Sequence, residues 1–190
     1  MDETDLNADR ARGGDETSLV RLYERLAPAL HAWARLRLGR AGNEFEADDL
    51  VQEVWVRALK AFPGFEIRRS GSFRAWIFTI AANAYVESMR RRGRTPSAMA
   101  VAGGTEVPAE VTSITQALKR RETLARLIDR VRGLGAEDRR LFIHRGLEGM
   151  TATEVATTLG ITAEAAHKRW QRLKDQLAED PAWRELVDED

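Results

Sequence analysis

Residues Gly149 to Leu177, reading GMTATEVATTLGITAEAAHKRWQRLKDQL, constrain this chain more than any other stretch. Thr151 followed three positions later by Glu154 has the spacing of a capping box, in which each side chain satisfies a backbone N–H at a helix start. Val155, Ala156 and Leu159 share one face, with the small Ala156 where a second helix must come close. Gly160 follows the last apolar position, where a glycine can take the left-handed conformation that ends a helix, and Thr162 can cap the next one. That second helix carries Ala166, Trp170, Leu173 and Leu177 as an apolar stripe, with His167, Lys168, Arg169, Arg172 and Lys174 around the remainder. Trp170 thus belongs to the buried stripe. Two readings fit: a helix-turn-helix whose second helix enters the major groove of DNA, or an amphipathic hairpin with a solvated charged face. The rest of the chain decides between them.

With 43% hydrophobic and 32% charged residues, the 190-residue chain has the composition of a folded globular protein, and its length suits one large or two small domains. It contains no cysteine, which excludes a disulfide framework, thiolate metal sites and a thiol nucleophile. No apolar run approaches the roughly 18 residues of a membrane span, and the acidic N-terminus lacks a basic-then-apolar signal. The protein is expected in the cytoplasm, without membrane insertion.

The net charge of zero hides a segregation. Bases minus acids come to −4 over residues 1–18, +5 over 19–92, −1 over 93–118, +5 over 119–178 and −5 over 179–190. Two basic blocks between acidic ends suggest two polyanion-facing domains, with tails that are either solvated or competing for the same surfaces.

Taken in order, residues 1–18 lack apolar periodicity and are expected to be a mobile acidic leader, turning helical near Asp15. Leu19, Leu22, Tyr23, Leu26, Leu30 and Trp33 mark a long amphipathic helix, which Pro28 should kink or divide and Gly39 and Gly42 should end. In EADDLVQEVWVRALKAFPGF the buried stripe is Val51, Val54, Trp55, Ala58 and Phe62; Asp48, Asp49, Gln52 and Glu53 lie off it. Alone, those four read as ordinary helix-start chemistry opposing the macrodipole.

A loop carrying Arg68 and Arg69 leads to a helix from about Ser72 to Arg92, with Phe73, Trp76, Ile77, Ile80, Ala81 and Ala84 inward. Phe78, Asn83 and Tyr85 fall off that stripe, and the helix finishes on Arg90, Arg91 and Arg92, with Arg94 beyond. Exposed aromatics, an amide and arginines would suit unstacked bases and phosphates; equally, the arginines could serve the helix dipole and Phe78 could pack on a neighbour. Residues 93–117 read as a linker between the domain 19–92 and a second domain, 118–178, of about four helices. The acidic tail 179–190 holds Trp183, Leu186 and Val187, which could dock on a basic surface, although such tails more often fray.

No strand pattern and no catalytic constellation appear: His31, His144 and His167 are scattered, and no glycine loop of phosphate-binding type is present. An all-α, non-enzymatic, cofactor-free and metal-free binding protein is expected. At this point the chain resembles the extracytoplasmic-function sigma factors of bacterial RNA polymerase, from about Leu19 to Leu177. EADDLVQEVWVRALKAF looks like the family's region 2.2, SFRAWIFTIAANAYVESMRRR like regions 2.3 and 2.4, and LEGMTATEVATTLGITAEAAHKRW like region 4.2.

The resemblance implies two small helical domains joined by a flexible linker, and a transcription initiation factor that binds core RNA polymerase and recognises −10 and −35 promoter elements. Core polymerase would be engaged through its clamp coiled coil and flap, the former by Asp48, Asp49, Gln52 and Glu53. The −10 strand would be held by Phe65, Arg68, Arg69, Ser70, Phe78 and Asn83, with Arg90, Arg91 and Arg92 on phosphates. The −35 element would be read by Thr162, Ala163, Glu164, His167, Lys168, Arg169 and Arg172. An anti-sigma factor is a further partner the family suggests. The chain departs from the family pattern at Thr79 and Ala82, where bases are usual, and at Trp170, where leucine is usual. The missing bases leave a second reading open, a sigma-like adaptor that holds polymerase without reading promoters; a stand-alone helix-turn-helix repressor is a third.

Overall fold

The computed structural model describes residues 2–39, 44–94, 114–180, 182 and 183, and the statements that follow concern these residues. The expected helix end at Gly42 and most of the expected linker lie outside them. Among the described residues the fold is all helical, without a strand, as expected. None of its helices is long and apolar enough to cross a membrane.

Four helices form the N-terminal unit: α1 (Glu3–Arg12), α2 (Glu16–Leu38), α3 (Glu44–Ala61) and α4 (Ser72–Arg94). α1 overturns the expectation of a mobile leader. Asp2 caps it by accepting from the Asp5 N–H at 2.8 Å, and Thr4, Asp5, Asn7 and Ala8 are buried against α2 and α4. Sequence periodicity missed this helix because its buried face is mostly polar, and the carboxylate of Asp5 on it is satisfied by backbone N–H groups far along the chain.

α2 starts at Asp15, whose carboxylate accepts from the Thr17 N–H and the Ser18 hydroxyl. It continues through Pro28 undivided, although the ring removes one intrahelical donor. Its second half is buried nearly all round, at Ala27, Ala29, Leu30, Ala32, Trp33, Ala34 and Leu36. α2 is thus the central helix, touching α1, α3 and α4 on its own side and α5 (Ile114–Arg132) on the other.

The C-terminal unit continues from α5 with α6 (Ala136–Leu141), a π-helical turn (Phe142–Leu147), α7 (Ala152–Leu159) and α8 (Ala163–Leu177). Its entry signals are those read from the sequence. Thr151 and Glu154 form the full capping box, Gly160 sits at φ 70°, ψ 33°, and the Thr162 hydroxyl accepts from the Ala165 N–H. Trp170 is buried as expected. The tail does not fray at Trp183: the ring is 1% exposed, tilted against Trp170 at 5.6 Å and Phe142 at 5.9 Å. Asp180 faces Arg130 at 3.8 Å.

The two units are not beads on a string. Buried apolar side chains of both belong to one continuous cluster, and α2 packs on α5 and on the π-helical turn.

Candidate nucleic-acid interface

Helix α8 presents Ala163, Glu164, His167, Lys168 and Arg172 to solvent, while Ala166, Trp170, Leu173 and Leu177 hold it to the core. The Thr162 hydroxyl is occupied as the cap. Lys168 pairs with Glu164 at 2.6 Å on the exposed face, a contact weak enough to be exchanged for a phosphate or base.

Arg169 is placed differently from expectation. Its Nε donates to Asp138 at 2.6 Å and its Nη1 to Glu137. The bonds to Glu137 and Asp138 raise its pKa further above the ordinary arginine value. It therefore acts as a strut from α8 to the start of α6 rather than a group held out to DNA. Its partners lie 31 and 32 positions earlier, beyond the reach of helical spacing.

The second candidate surface is the loop between α3 and α4. Arg68, Arg69 and Ser70 are exposed. The Ser72 hydroxyl shapes the loop, accepting from the Arg68 and Arg69 N–H groups at 3.1 and 2.8 Å and donating to the Arg69 carbonyl. α1 pins both ends. Buried Asp5 accepts from the Gly71 N–H at 2.8 Å and the Phe73 N–H at 2.9 Å, and Arg12 donates to the Phe65 carbonyl at 2.9 Å. A loop tied this way loses little conformational freedom on binding a strand.

Two aromatic assignments here are corrected. Phe65 is buried, packed on Phe73 and Trp76 at 5.3 and 5.0 Å between ring centroids. Phe78 is 3% exposed, edge-on to Trp33 at 6.2 Å, with the Arg74 guanidinium over its ring. Neither ring is available to stack on a base. Tyr85, also off the apolar stripe, donates to the Arg37 carbonyl at 3.1 Å. The spacing misled because α4 is buried on more than one side, against α1, α2 and α3. Trp76, assigned to the core by spacing, is only half-buried and forms the rim of the Phe62, Phe65, Phe73 cluster. Asn83, Arg90 and Arg91 are exposed as expected, Arg91 paired with Glu87 at 3.2 Å; the side chain of Arg92 lies outside the described residues.

On α3, Asp49 and Gln52 are exposed. Asp48 faces His31 Nδ1 at 3.2 Å. Glu53 accepts from Arg57 Nε at 2.7 Å, and Arg57 also reaches Glu87 at 2.8 Å. The bond from Glu53, then that from Glu87, raises the Arg57 pKa against the opposing effect of burial. The acidic face thus consists of Asp48 and Asp49 with the neutral amide of Gln52 beside them, and Glu53 is partly neutralised at its edge.

The contact between the units holds charged residues that sequence reasoning passed over. Glu148 is buried, and its Oε1 accepts from Trp33 Nε1 at 2.7 Å and Arg37 Nη2 at 2.8 Å, while Oε2 meets His144 Nδ1 at 2.7 Å. Burial alone would push its pKa up; the bonds from His144, Arg37 and Trp33 together outweigh it and hold the carboxyl below the ordinary 4.5. Buried Arg74 donates to the Leu147 and Gly146 carbonyls at 2.8 and 3.3 Å. Arg132 donates to the Arg35 and Gly39 carbonyls at 3.0 and 3.2 Å.

An exposed polar helix in a helix-turn-helix, a second basic surface on the N-terminal helical unit and an acidic face on α3 are the arrangement of a protein that meets nucleic acid and a protein partner. Comparison with known proteins narrows the class. Residues 22–95 match the Sigma-70 region 2 family. SigL of Mycobacterium tuberculosis, an ECF RNA polymerase sigma factor, is 30% identical over 156 residues, which cover 81% of this chain and 84% of SigL. SigE of Mycolicibacterium smegmatis is 27% identical over 169 residues, covering 87% of this chain; the match spans 65% of the length of SigE. Among solved structures, CnrH in complex with the cytosolic domain of CnrY matches with a TM-score of 0.49 and 26% identity, covering 93% of this chain and 96% of that one. The chain belongs to the ECF family of RNA polymerase sigma factors, and so to the transcription initiation factors.

Proposed function

We propose that this sigma factor binds core RNA polymerase through Asp48, Asp49 and Gln52 on α3 for the clamp coiled coil, and through its C-terminal unit for the flap. Arg68, Arg69, Ser70 and Asn83 then hold the −10 strand, with Arg90, Arg91 and Arg92 on its phosphates. Glu164, His167, Lys168 and Arg172 read the −35 element, with Thr162 and Ala163 setting the start of the reading helix. The chain carries no chemistry of its own and works in the cytoplasm, on the nucleoid when active. An anti-sigma partner belongs to the same reading.

The observation that carries this reading is that α8 is fastened by one face while its other face stays polar and solvent-exposed. A reading helix needs that division, since base edges are reached only by side chains the core does not use. Thr79 and Ala82 supply no positive charge to α4: the Thr79 hydroxyl donates back to the Ala75 carbonyl at 2.8 Å. This favours fewer −10 phosphate contacts than usual and keeps the adaptor reading as the alternative. Run-off transcription with purified core enzyme and host promoters decides. Specific transcripts support the initiation factor; core binding without any transcript supports the adaptor.

Two substitutions test the surfaces. Asp49→Lys is expected to weaken core affinity at least about tenfold by reversing the charge at the centre of the proposed contact, with an unchanged thermal melt; undiminished affinity would remove α3 from the interface. Arg172→Ala is expected to cost about 1–3 kcal/mol of −35 affinity, measured by promoter-DNA titration. No loss there would leave α8 without its proposed role.

A further inference from the structure

We propose that Asp5 is a positioning residue for −10 recognition: this buried carboxylate of α1 caps the start of α4 from 66 positions earlier in the chain and holds the loop 66–71 in the form that receives the displaced strand. The inference rests on the reading of that loop as the −10 surface. It adds α1 to the surface, a helix that carries none of the strand contacts proposed above.

The start of α4 has no capping side chain of its own. α4 begins at Ser72, so the capping position falls on Gly71, which stands at φ +75°, a conformation that favours glycine. The adjacent Ser72 hydroxyl is turned back onto the loop, where it serves Arg68 and Arg69. Asp5 fills the gap from another helix. Its Oδ2 accepts from the Gly71 N–H and its Oδ1 from the Phe73 N–H, the latter one of the donors that a first helical turn leaves without a partner. Among the described residues no cation pairs with this fully buried carboxylate. A buried charge is costly unless its oxygens are hydrogen-bonded, and here the positive end of the α4 dipole takes the place of a counter-ion.

The cap decides which groups the loop can offer. The Arg68 and Arg69 N–H groups bond Ser72 Oγ, the Ser72 N–H bonds the Arg69 carbonyl, and the Gly71 and Phe73 N–H groups bond Asp5. Among the described residues, the N–H and hydroxyl of exposed Ser70 have no partner. A strand arriving there meets one free backbone donor and one free hydroxyl on a backbone already fixed. The last residue of α1 holds the other end, where Arg12 Nη1 donates to the Phe65 carbonyl at 2.9 Å and its Nη2 to Asp9 at 3.0 Å.

Asp5 acts through the population of the loop rather than through a contact. A strand that binds only the fixed form binds more weakly by the factor to which that form is depopulated. Loosening Asp5 therefore lowers −10 affinity although Asp5 touches no nucleotide. Charge alone predicts the opposite, since neutralising an acid beneath a basic loop strengthens its attraction for a polyanion. The sign of the change thus separates positioning from electrostatics.

The test uses holoenzyme assembled from core RNA polymerase and the full chain, as the parent and as Asp5→Asn, Asp2→Asn and Arg12→Met. The probes are fork fragments, duplex through the −35 region with a short randomised non-template strand across −10, from which the parent holoenzyme first selects a sequence. The −35 duplex alone is the second probe. Asp5→Asn keeps one acceptor oxygen and turns an NH2 group toward the other backbone donor. It is expected to lower affinity for the selected fork about tenfold, with the parent's affinity for the −35 duplex. Asp2→Asn removes an acid whose Oδ2 lies 3.9 Å from a Cβ placed on Gly71, while asparagine caps α1 as well as aspartate does; its fork affinity is expected to equal or exceed the parent's. Unchanged or higher fork affinity in Asp5→Asn would overturn the positioning role, as would a loss of the same size in Asp2→Asn. If Asp5→Asn melts below the assay temperature, Arg12→Met carries the test: it is expected to weaken fork binding about threefold with the parent's salt slope, and no loss, or a slope lowered by about one as for a lost phosphate contact, would overturn the proposal. A parent holoenzyme that selects no sequence from the pool would instead overturn the loop as the −10 surface, and the inference with it.

Discussion

Trp183→Ala is expected to destabilise the C-terminal unit by about 3–5 kcal/mol, the cost of deleting a buried tryptophan and leaving its cavity. The ring is buried between Trp170 and Phe142, so it closes the back of the helix-turn-helix opposite the exposed face of α8. Denaturant unfolding of the full chain measures the loss, and Trp183→Phe should recover a large part of it. A change below about 1 kcal/mol, typical of surface positions, would mean that the ring does not belong to the core. Trp170 lies in the same stack, so loosening it is expected to lower the −35 affinity proposed for α8 without altering its exposed side chains.

Asp5→Ala is expected to cost about 2–4 kcal/mol. Its carboxylate is fully buried and accepts from the Gly71 and Phe73 N–H groups; a hydrogen bond to a charged group contributes about 1.5–3 kcal/mol, and a buried donor left unpaired costs a comparable amount. Asp5→Asn, which keeps only one acceptor oxygen, should fall between. Amide exchange locates the effect: Gly71 and Phe73 should lose protection first, because the loop is fastened there. Unchanged protection at both amides would mean that α1 does not anchor the loop.

These two residues mark the boundary of what the primary structure discloses. The helix-turn-helix was legible because its instructions are local. Thr151 and Glu154 serve each other across three positions, Gly160 needs only its own backbone freedom, and Thr162 caps the turn it begins. The stripe of α2 and the exposure of Asp49, Gln52, Asn83 and Arg172 were legible for a related reason, since helical periodicity separates a buried face from a solvated one. The same rule failed on α4, where burial on several sides turned Phe78 from a supposed base platform into core. It failed on residues 1–18, where buried Asp5 answers backbone donors 66 and 68 positions away.

The amino-acid sequence by itself determined the helices from α2 onward, the caps of the helix-turn-helix and the family, because these depend on periodicity and on contacts within a few residues. Only the tertiary structure decided which charges are free to act. Arg169 is claimed by Glu137 and Asp138, Glu53 by Arg57, and Glu148 by Trp33, Arg37 and His144. A charge is spent or available according to what lies within about 4 Å of it, and most of those neighbours are brought there by folding from distant parts of the chain.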